Sequence, residues 1–310
     1  MTRMRALTAI FAAIIFSHML YAQEDTTLEA QLQAIAQTHH GHVTLFAHDL
    51  KSGKTAAMNA DTPAPTASVI KLTVLFEALK QIQEGKAHFD DRLTLTKENQ
   101  VEGSGVFMFF DTPQTFTLKD VLTMMVIVSD NTATNLAIDH LGLKNIDDRI
   151  QWLGLKNTWL YKKVSLPPVG PMPADQKQFG LGKTTAREMA EVMERFATCN
   201  LNAPGNVAKP TADDEKLCDA AMHMLKNQFY RNSIPRYLET LDSTEGESKI
   251  ANKTGALDKV RNDVGVVFAK NGPVIISMFT YENEDESWTP DNQAEVLMAK
   301  LAHTIVDRWE

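Results

Sequence analysis

The stretch that decides the fold is Ser68 to Gln83, SVIKLTVLFEALKQIQ. Val69, Ile70, Leu72, Val74, Leu75, Phe76 and Leu79 crowd it so closely that a helix here keeps no polar face. Such a helix is normally enclosed by the rest of the protein rather than laid on its surface. On its N-terminal side, Leu28 to Ala36 carries apolar residues at helical spacing. His42 to His48 alternates as a strand does, Lys51-Ser52-Gly53-Lys54 is a turn, and Thr55 to Met58 returns as a hairpin. Pro63-Ala64-Pro65 reads as a stiff connector that cannot continue a strand. On the C-terminal side, Leu118 to Val128 and Ala133 to Leu143 read as helices separated by Ser129-Asp130-Asn131. Leu166 to Gly182 holds four prolines and three glycines, which predicts a long irregular loop of the kind that usually carries function. Thr184 or Thr185 then caps a helix reaching Met193, with Glu188 in its first turn. Lys249 to Lys253, Asp263 to Ala269 and Val274 to Tyr281 switch to strand patterning, with Asn271-Gly272 as a hairpin turn, and Ala294 to Trp309 closes as an amphipathic helix. This order predicts an α/β fold of the α+β kind. One antiparallel sheet is built from both chain ends (about 23–66 and 245–310) and flanked by helices, and an all-helical part (about 67–244) is inserted between them.

Composition supports a globular reading. The chain has 310 residues, 44% hydrophobic and 23% charged, which excludes collagen-like, low-complexity and disordered classes. A net charge of −8 argues against nucleic acid as a partner. Residues 1–22 have Arg3 and Arg5, an apolar run from Ala6 to Ile15, and Ala22 ahead of Glu24 and Asp25. That is the layout of a secretory signal peptide; the Ala6 to Ala22 run, holding Ser17 and His18, is marginal as a permanent membrane span, with a retained anchor as the alternative. The expected location is therefore periplasmic or secreted. Cys199 and Cys218 then default to a disulfide, with two unrelated thiols as the alternative. Neither cysteine has zinc-site spacing, and His39, His40 and His42 read as a solvated cluster; no metal is expected.

Three short motifs carry the chemistry. In Ser68-Val69-Ile70-Lys71 the hydroxyl and the amine fall on one helical face, with Cβ atoms about 5–6 Å apart. A serine needs a base to become a nucleophile, and a desolvated lysine can serve. Ser129-Asp130-Asn131 offers a second hydroxyl to relay a proton and an amide to hold a substrate amide, although all three residues are also ordinary helix caps. Lys253-Thr254-Gly255 reads as a strand end where Gly admits a ligand closely and Lys with Thr can hold a carboxylate. The N–H of Ala256 could join that of Ser68 as an oxyanion hole.

Each motif alone is weak, but their order resembles the signature of class A β-lactamases and penicillin-binding proteins. The resemblance runs from about Leu28 to the C-terminus. It implies a monomeric serine hydrolase without cofactor, acting on a β-lactam or a cell-wall peptide. Ser68 would be the acylated nucleophile, Lys71 its activator and Ser129 the proton shuttle, with Asn131 and Lys253 shaping the pocket. Arg261 would bind the substrate carboxylate, its planar fork suiting that task. Two departures stand out. The family's loop glutamate, which activates the deacylating water, has no counterpart between Ser165 and Gly182, where Asp175 is the one carboxylate. The interval from Ser129 to Lys253 is also long, with the surplus around Asn200 to Glu215 reading as a surface excursion between the cysteines. The alternatives that the missing glutamate raises are a D-Ala-D-Ala peptidase, an esterase or amidase, or a stably acylated sensor.

Overall fold

The computed structural model describes residues 23–206, 208–238, 240–242 and 247–310. The expected export segment, residues 1–22, lies outside the described residues, as does the expected start of the second sheet segment at residue 245. In chain order the elements are β1 (Gln23–Glu24), α1 (Thr26–Ala36), β2 (His42–Asp49), β3 (Lys54–Met58), β4 (Ala64–Pro65), a 3-10 turn (Ala67–Ile70) and α2 (Lys71–Gln83). A helical block follows: β5 (Arg92–Leu95), β6 (Gln114–Thr117), α3 (Leu118–Ile127), α4 (Asn131–Leu141), α5 (Leu143–Trp152), β7 (Trp159–Leu160), α6 (Gln176–Phe179), β8 (Gly182–Thr184), α7 (Ala186–Ala197) and α8 (Ala212–Lys226). The chain closes with β9 (Ile250–Leu257), β10 (Val260–Ala269), β11 (Gly272–Tyr281) and α9 (Gln293–Trp309).

Among the described residues the main sheet has six strands in the order β1-β3-β2-β11-β10-β9, joining the two ends of the chain as expected. It is antiparallel apart from β1, which runs parallel to β3. Alternation sends successive side chains into two different cores. Val43, Leu45, Ala47, Val274, Ile276 and Met278 pack with Leu28 and Leu32 of α1 and Leu301, Ile305 and Trp309 of α9. Phe46, Ala251, Val264, Val266, Ile275 and Phe279 face the larger core, where α2 lies. Every residue of α2 from Lys71 to Gln81 is buried, so this helix is enclosed as its composition demands.

The structure corrects several boundaries. Ser68 sits in the 3-10 turn and α2 begins only at Lys71, so the two do not share one α-helical face. Ala64–Pro65 does form a short strand, paired with β8 (Ala64 with Thr184, Pro65 with Lys183). It lies at the edge of its small sheet, where a missing N–H costs nothing. The helix expected to run to Leu143 ends at Leu141, because Gly142 takes φ +87° and starts α5, whose buried stripe is only Ile146 and Ile150. The strand carrying Lys253 does not end at Gly255 but continues to Leu257, paired throughout with β10. The cysteine-bracketed segment is closed by a Cys199–Cys218 disulfide, and it is only partly an excursion. From Thr211, whose side chain and that of Asp214 cap reciprocally, it becomes α8, a helix hidden by its acidic opening turn.

Candidate active site

The turn that carries Ser68 is held in a shape it would not adopt freely. Ala67 has φ +43°, a left-handed conformation costing an alanine roughly 1–3 kcal/mol. Asn262 of β10 offsets this, its Nδ2 donating to the carbonyls of Pro65 (2.8 Å) and Thr66 (3.1 Å). Gly255 of β9 presses on the same turn. A Cβ there would stand 2.7 Å from Thr66 O, 2.8 Å from Val69 N and 2.9 Å from Ser68 N. The glycine is therefore required by the close approach of the chain's own turn, a different reason from the ligand approach expected of it. Ser68 itself is half-buried, and its hydroxyl has no hydrogen-bond partner among the described residues.

Behind Ser68, two fully buried lysines converge on one hydroxyl. Lys71 Nζ donates to Ser129 O (2.6 Å), Asn131 Oδ1 (3.0 Å) and Ser129 Oγ (3.1 Å). Lys253 Nζ donates to Thr254 O (2.8 Å) and Ser129 Oγ (3.0 Å). Ser129 too has positive φ, +55°, which turns the chain sharply at the head of α4. Burial pushes the Lys71 amine well below its ordinary 10.5, the charge of Lys253 lowers it further, and Asp130 opposes both. Burial likewise brings Lys253 down to about 7 against the pull of Asp263. Burial of this kind favours the neutral amine, so these lysines give up a proton more readily than an exposed lysine does.

Asp130 is buried and structural. It accepts from Ala133 N (2.8 Å), Val106 N (2.6 Å) and Phe107 N (2.8 Å), tying the 102–107 turn to the head of α4. That turn was not legible as part of the site. Its signal is Gly103-Ser104-Gly105: a Cβ on Gly103 would meet Asn131 Nδ2 at 2.5 Å, and one on Gly105 would meet Asp130 Oδ2 at 2.2 Å. Asn131 is held on both sides, its N–H by Ser104 O (2.9 Å) and its Nδ2 by Glu102 O (3.2 Å). Beyond this turn, Phe107 is buried whereas Phe109 and Phe110 are exposed. Thr254 and Ala256 are half-buried on β9, the outermost strand of the sheet, beside Gly255.

Arg261 is not part of this group. Strand alternation decides it: Asn262 points to the Ser68 turn, so Arg261 points to the opposite face of β10. Its guanidinium donates to the carbonyls of Leu257, Val260 (2.9 Å) and Ser287 (2.6 Å), and lies 4.5 Å from the ring of Trp288. Glu295 approaches at 3.5 Å. The residue pegs the β9–β10 turn to the α9 side, and the expected carboxylate-binding role is withdrawn. Asn262, its neighbour, is the residue that supports the site.

The long loop enters next to α4. Buried Asn135 holds Val164 through both backbone groups, donating to its carbonyl (3.0 Å) and accepting from its N–H (2.8 Å). The residue pinned at that point is thus apolar. Asp175, further along, accepts from Tyr161 Oη (2.9 Å) and pairs with Lys183, whose hydrogen bond keeps its carboxyl below the usual range. On β8 a side chain at Gly182 would point at Thr66 and Ile70, so Lys183 and its partner Asp175 occupy the other face.

A serine on a strained turn, two buried lysines and a second serine bridging them come together within a sheet-and-helix fold. The sequence pattern of the beta-lactamase enzyme family matches residues 27–309, and the chain belongs to that family. The fold is that of a β-lactamase from Sphaerobacter thermophilus, with a TM-score of 0.76 and 25% identity over 92% of this chain and 97% of that one. A variant of PBP-A, solved as its acyl-enzyme complex with penicillin G, superposes with a TM-score of 0.73 and 22% identity, covering 93% and 97%. A β-lactamase of Streptomyces fradiae is 24% identical over 90% of this chain and 85% of its own length.

Proposed function

We propose that this protein is an exported serine hydrolase that opens β-lactam rings through an acyl-enzyme on Ser68. The observation that carries the reading is the Ser129 hydroxyl, held at 3.0 and 3.1 Å from two buried lysines whose amines are disposed to lose protons. Neutral Lys71 takes the Ser68 proton, and Ser68 Oγ adds to the lactam carbonyl while backbone N–H groups of Ser68 and Ala256 receive the oxyanion. The C–N bond then breaks, and the proton passes from Lys71 through Ser129 to the departing nitrogen. In this reading Lys253, with Thr254 next to it in the motif, receives the substrate carboxylate in place of Arg261. The Cys199–Cys218 disulfide fits an oxidising, extracytoplasmic location.

Hydrolysis of the acyl-enzyme is the slow half of the reaction. The loop offers an apolar Val164 next to α4, and Asp175 is committed to Lys183. This favours, as a second reading, a penicillin-binding peptidase, amidase or sensor that keeps its acyl group; the fold relative captured as a penicillin G acyl-enzyme is consistent with it. Purified protein mixed with a chromogenic cephalosporin, followed by absorbance and intact mass, separates the two. A burst with a persistent adduct on Ser68 and slow steady release is expected for the hydrolase. A burst without release assigns the second reading, and no adduct on Ser68 refutes both.

A further inference from the structure

Two opposite charges are buried on neighbouring strands with no charged partner in contact. Lys253 of β9 and Asp263 of β10 are both fully buried. The Lys253 amine bonds the neutral Thr254 O and Ser129 Oγ, and among the described residues it forms no ion pair. Asp263 accepts from Ile234 N (3.0 Å) and, at its two oxygens, from Asn252 Nδ2 (2.8 and 3.1 Å). Arg231 settles the orientation of that amide: it can only donate, and its Nη1 meets Asn252 Oδ1 at 2.8 Å, so Nδ2 faces Asp263. With donors on every side, Asp263 is held as the carboxylate, since a protonated acid would need an acceptor. The cations around it are engaged elsewhere. Arg231 pairs with Asp242, Arg236 with Asp291, and Arg261, on the same face of β10, with Glu295 of α9. Register sets Lys253 opposite Val264 and Asp263 opposite Thr254. The two charged residues thus occupy neighbouring positions on strands about 5 Å apart, with side chains leaving the sheet on opposite faces.

We infer that Asp263 is the counter-ion of Lys253, a positioning residue that acts through the thickness of the sheet and keeps the amine charged for the substrate carboxylate. The inference rests on the reading of the preceding section, in which Lys253 meets that carboxylate. A buried charge has to be balanced. Burial favours the neutral amine at Lys253 and the neutral acid at Asp263, whose carboxyl it lifts to about 6; the attraction between the two opposes both tendencies. Little water is present between such strands to screen it. On the Ser68 side, the other charges are Lys71, which Lys253 repels, and Asp130, which three N–H groups hold. On the α9 side, Arg231 steadies the Asp263 carboxylate, and Glu295 and Asp263 repel each other. Asp263 does not touch the substrate, because Asn262 points to the Ser68 turn and its neighbour points away. A charge role and a merely structural role therefore part company in pH dependence.

The test is D263N, compared with wild type on a chromogenic cephalosporin and on the methyl ester of its ring carboxylate. Acylation of Ser68 is timed by intact mass from pH 5 to pH 8, and the acid rate is divided by the ester rate, which cancels any difference in folded protein. Without the Asp263 charge, Lys253 gives up its proton at a pH lower by about one unit. At pH 5 the amine is protonated in both proteins and Asp263 of the wild type is itself mostly neutral, so the acid-to-ester preference should be equal. At pH 8 the preference of D263N should lie about tenfold below that of wild type. Should D263N fail to fold, the wild type supplies the readout. The 13C resonance of Lys253 Cε, identified by its absence in K253M, should titrate near pH 7 with a smaller second step near 6, as Asp263 takes its proton. A preference lowered equally at pH 5 and pH 8, a preference not lowered at all, or a Lys253 titration in a single step overturns Asp263 as counter-ion and leaves the acyl-enzyme reading standing. A wild type that is acylated by neither compound overturns both.

Discussion

Replacing Lys253 by Met should make the protein inactive and more stable. Lys253 is fully buried, and its amine falls from 10.5 to about 7 chiefly because burial disfavours the charged form. That difference corresponds to roughly 5 kcal/mol by which burial opposes the ammonium at neutral pH. Methionine has a similar length and no charge. It forfeits the hydrogen bonds to Thr254 O and Ser129 Oγ, at about 1 kcal/mol each, together with the attraction to Asp263. The net expectation is a gain of about 2–4 kcal/mol at pH 7, within the range found when buried charges are replaced by apolar groups. The pH dependence makes the prediction specific. Because the folded-state value lies below the unfolded one, the unfolded chain binds the extra proton between about pH 7 and 10.5, and wild-type stability rises with pH there relative to K253M. Below pH 7 both states are protonated and the full cost is present. Urea denaturation of both proteins at pH 6, 7, 8 and 9.5 should show a gap that is level at the two lower values and narrows at the two higher ones. A K253M protein less stable than wild type at pH 7, or a gap indifferent to pH, would refute the account of Lys253 as a buried amine held at a cost.

Three further outcomes are expected. D175N should leave β-lactam turnover unchanged and cost roughly 0–1 kcal/mol in thermal melting, because its carboxylate serves a partly exposed pair with Lys183 rather than a water near Ser68. G255A should lower both stability, by roughly 1–3 kcal/mol, and Ser68 acylation, since the new methyl meets backbone atoms that cannot swing aside. R261A should destabilise by roughly 2–4 kcal/mol, removing the nearest cation from half-buried Glu295 and the carbonyl contacts of the β9–β10 turn, yet alter the KM of substrates with and without a carboxylate by the same factor; a selective effect on the carboxylate-bearing substrate would restore Arg261 to the site.

Much of the fold was legible because its signals are local. The alternation in His42 to His48, the strand patterning of Val274 to Tyr281, the all-round apolarity of α2 and the cap at Thr185 each need only a few neighbouring residues to be read. The misses share a cause. α5 and α8 present short apolar stripes behind charged turns, so they acquire a helical signature only once the core they cover is known. Ser68 looked like part of one continuous helix because a 3-10 turn and an α-helix differ little in composition.

The order of the three motifs was enough, without coordinates, to bring Ser68, Lys71, Ser129, Asn131 and Lys253 into one proposal, since each carries its own chemistry wherever it sits. What a side chain faces is a different matter. On β10 a shift of one residue reverses the face, and the pairing with β9 and β11 gives the Ser68 turn to Asn262 and turns Arg261 toward Trp288 and Glu295. The same holds for Asp175, whose carboxylate is present in the loop but claimed by Lys183 on the far face of β8. The lowered lysines likewise come from burial, joined at Lys71 by the charge of Lys253, which arises only when residues 58 and 124 positions from Ser129 are folded around its hydroxyl. Residue type and order determined which chemistry was available; register and burial decided which of those groups can take part in it.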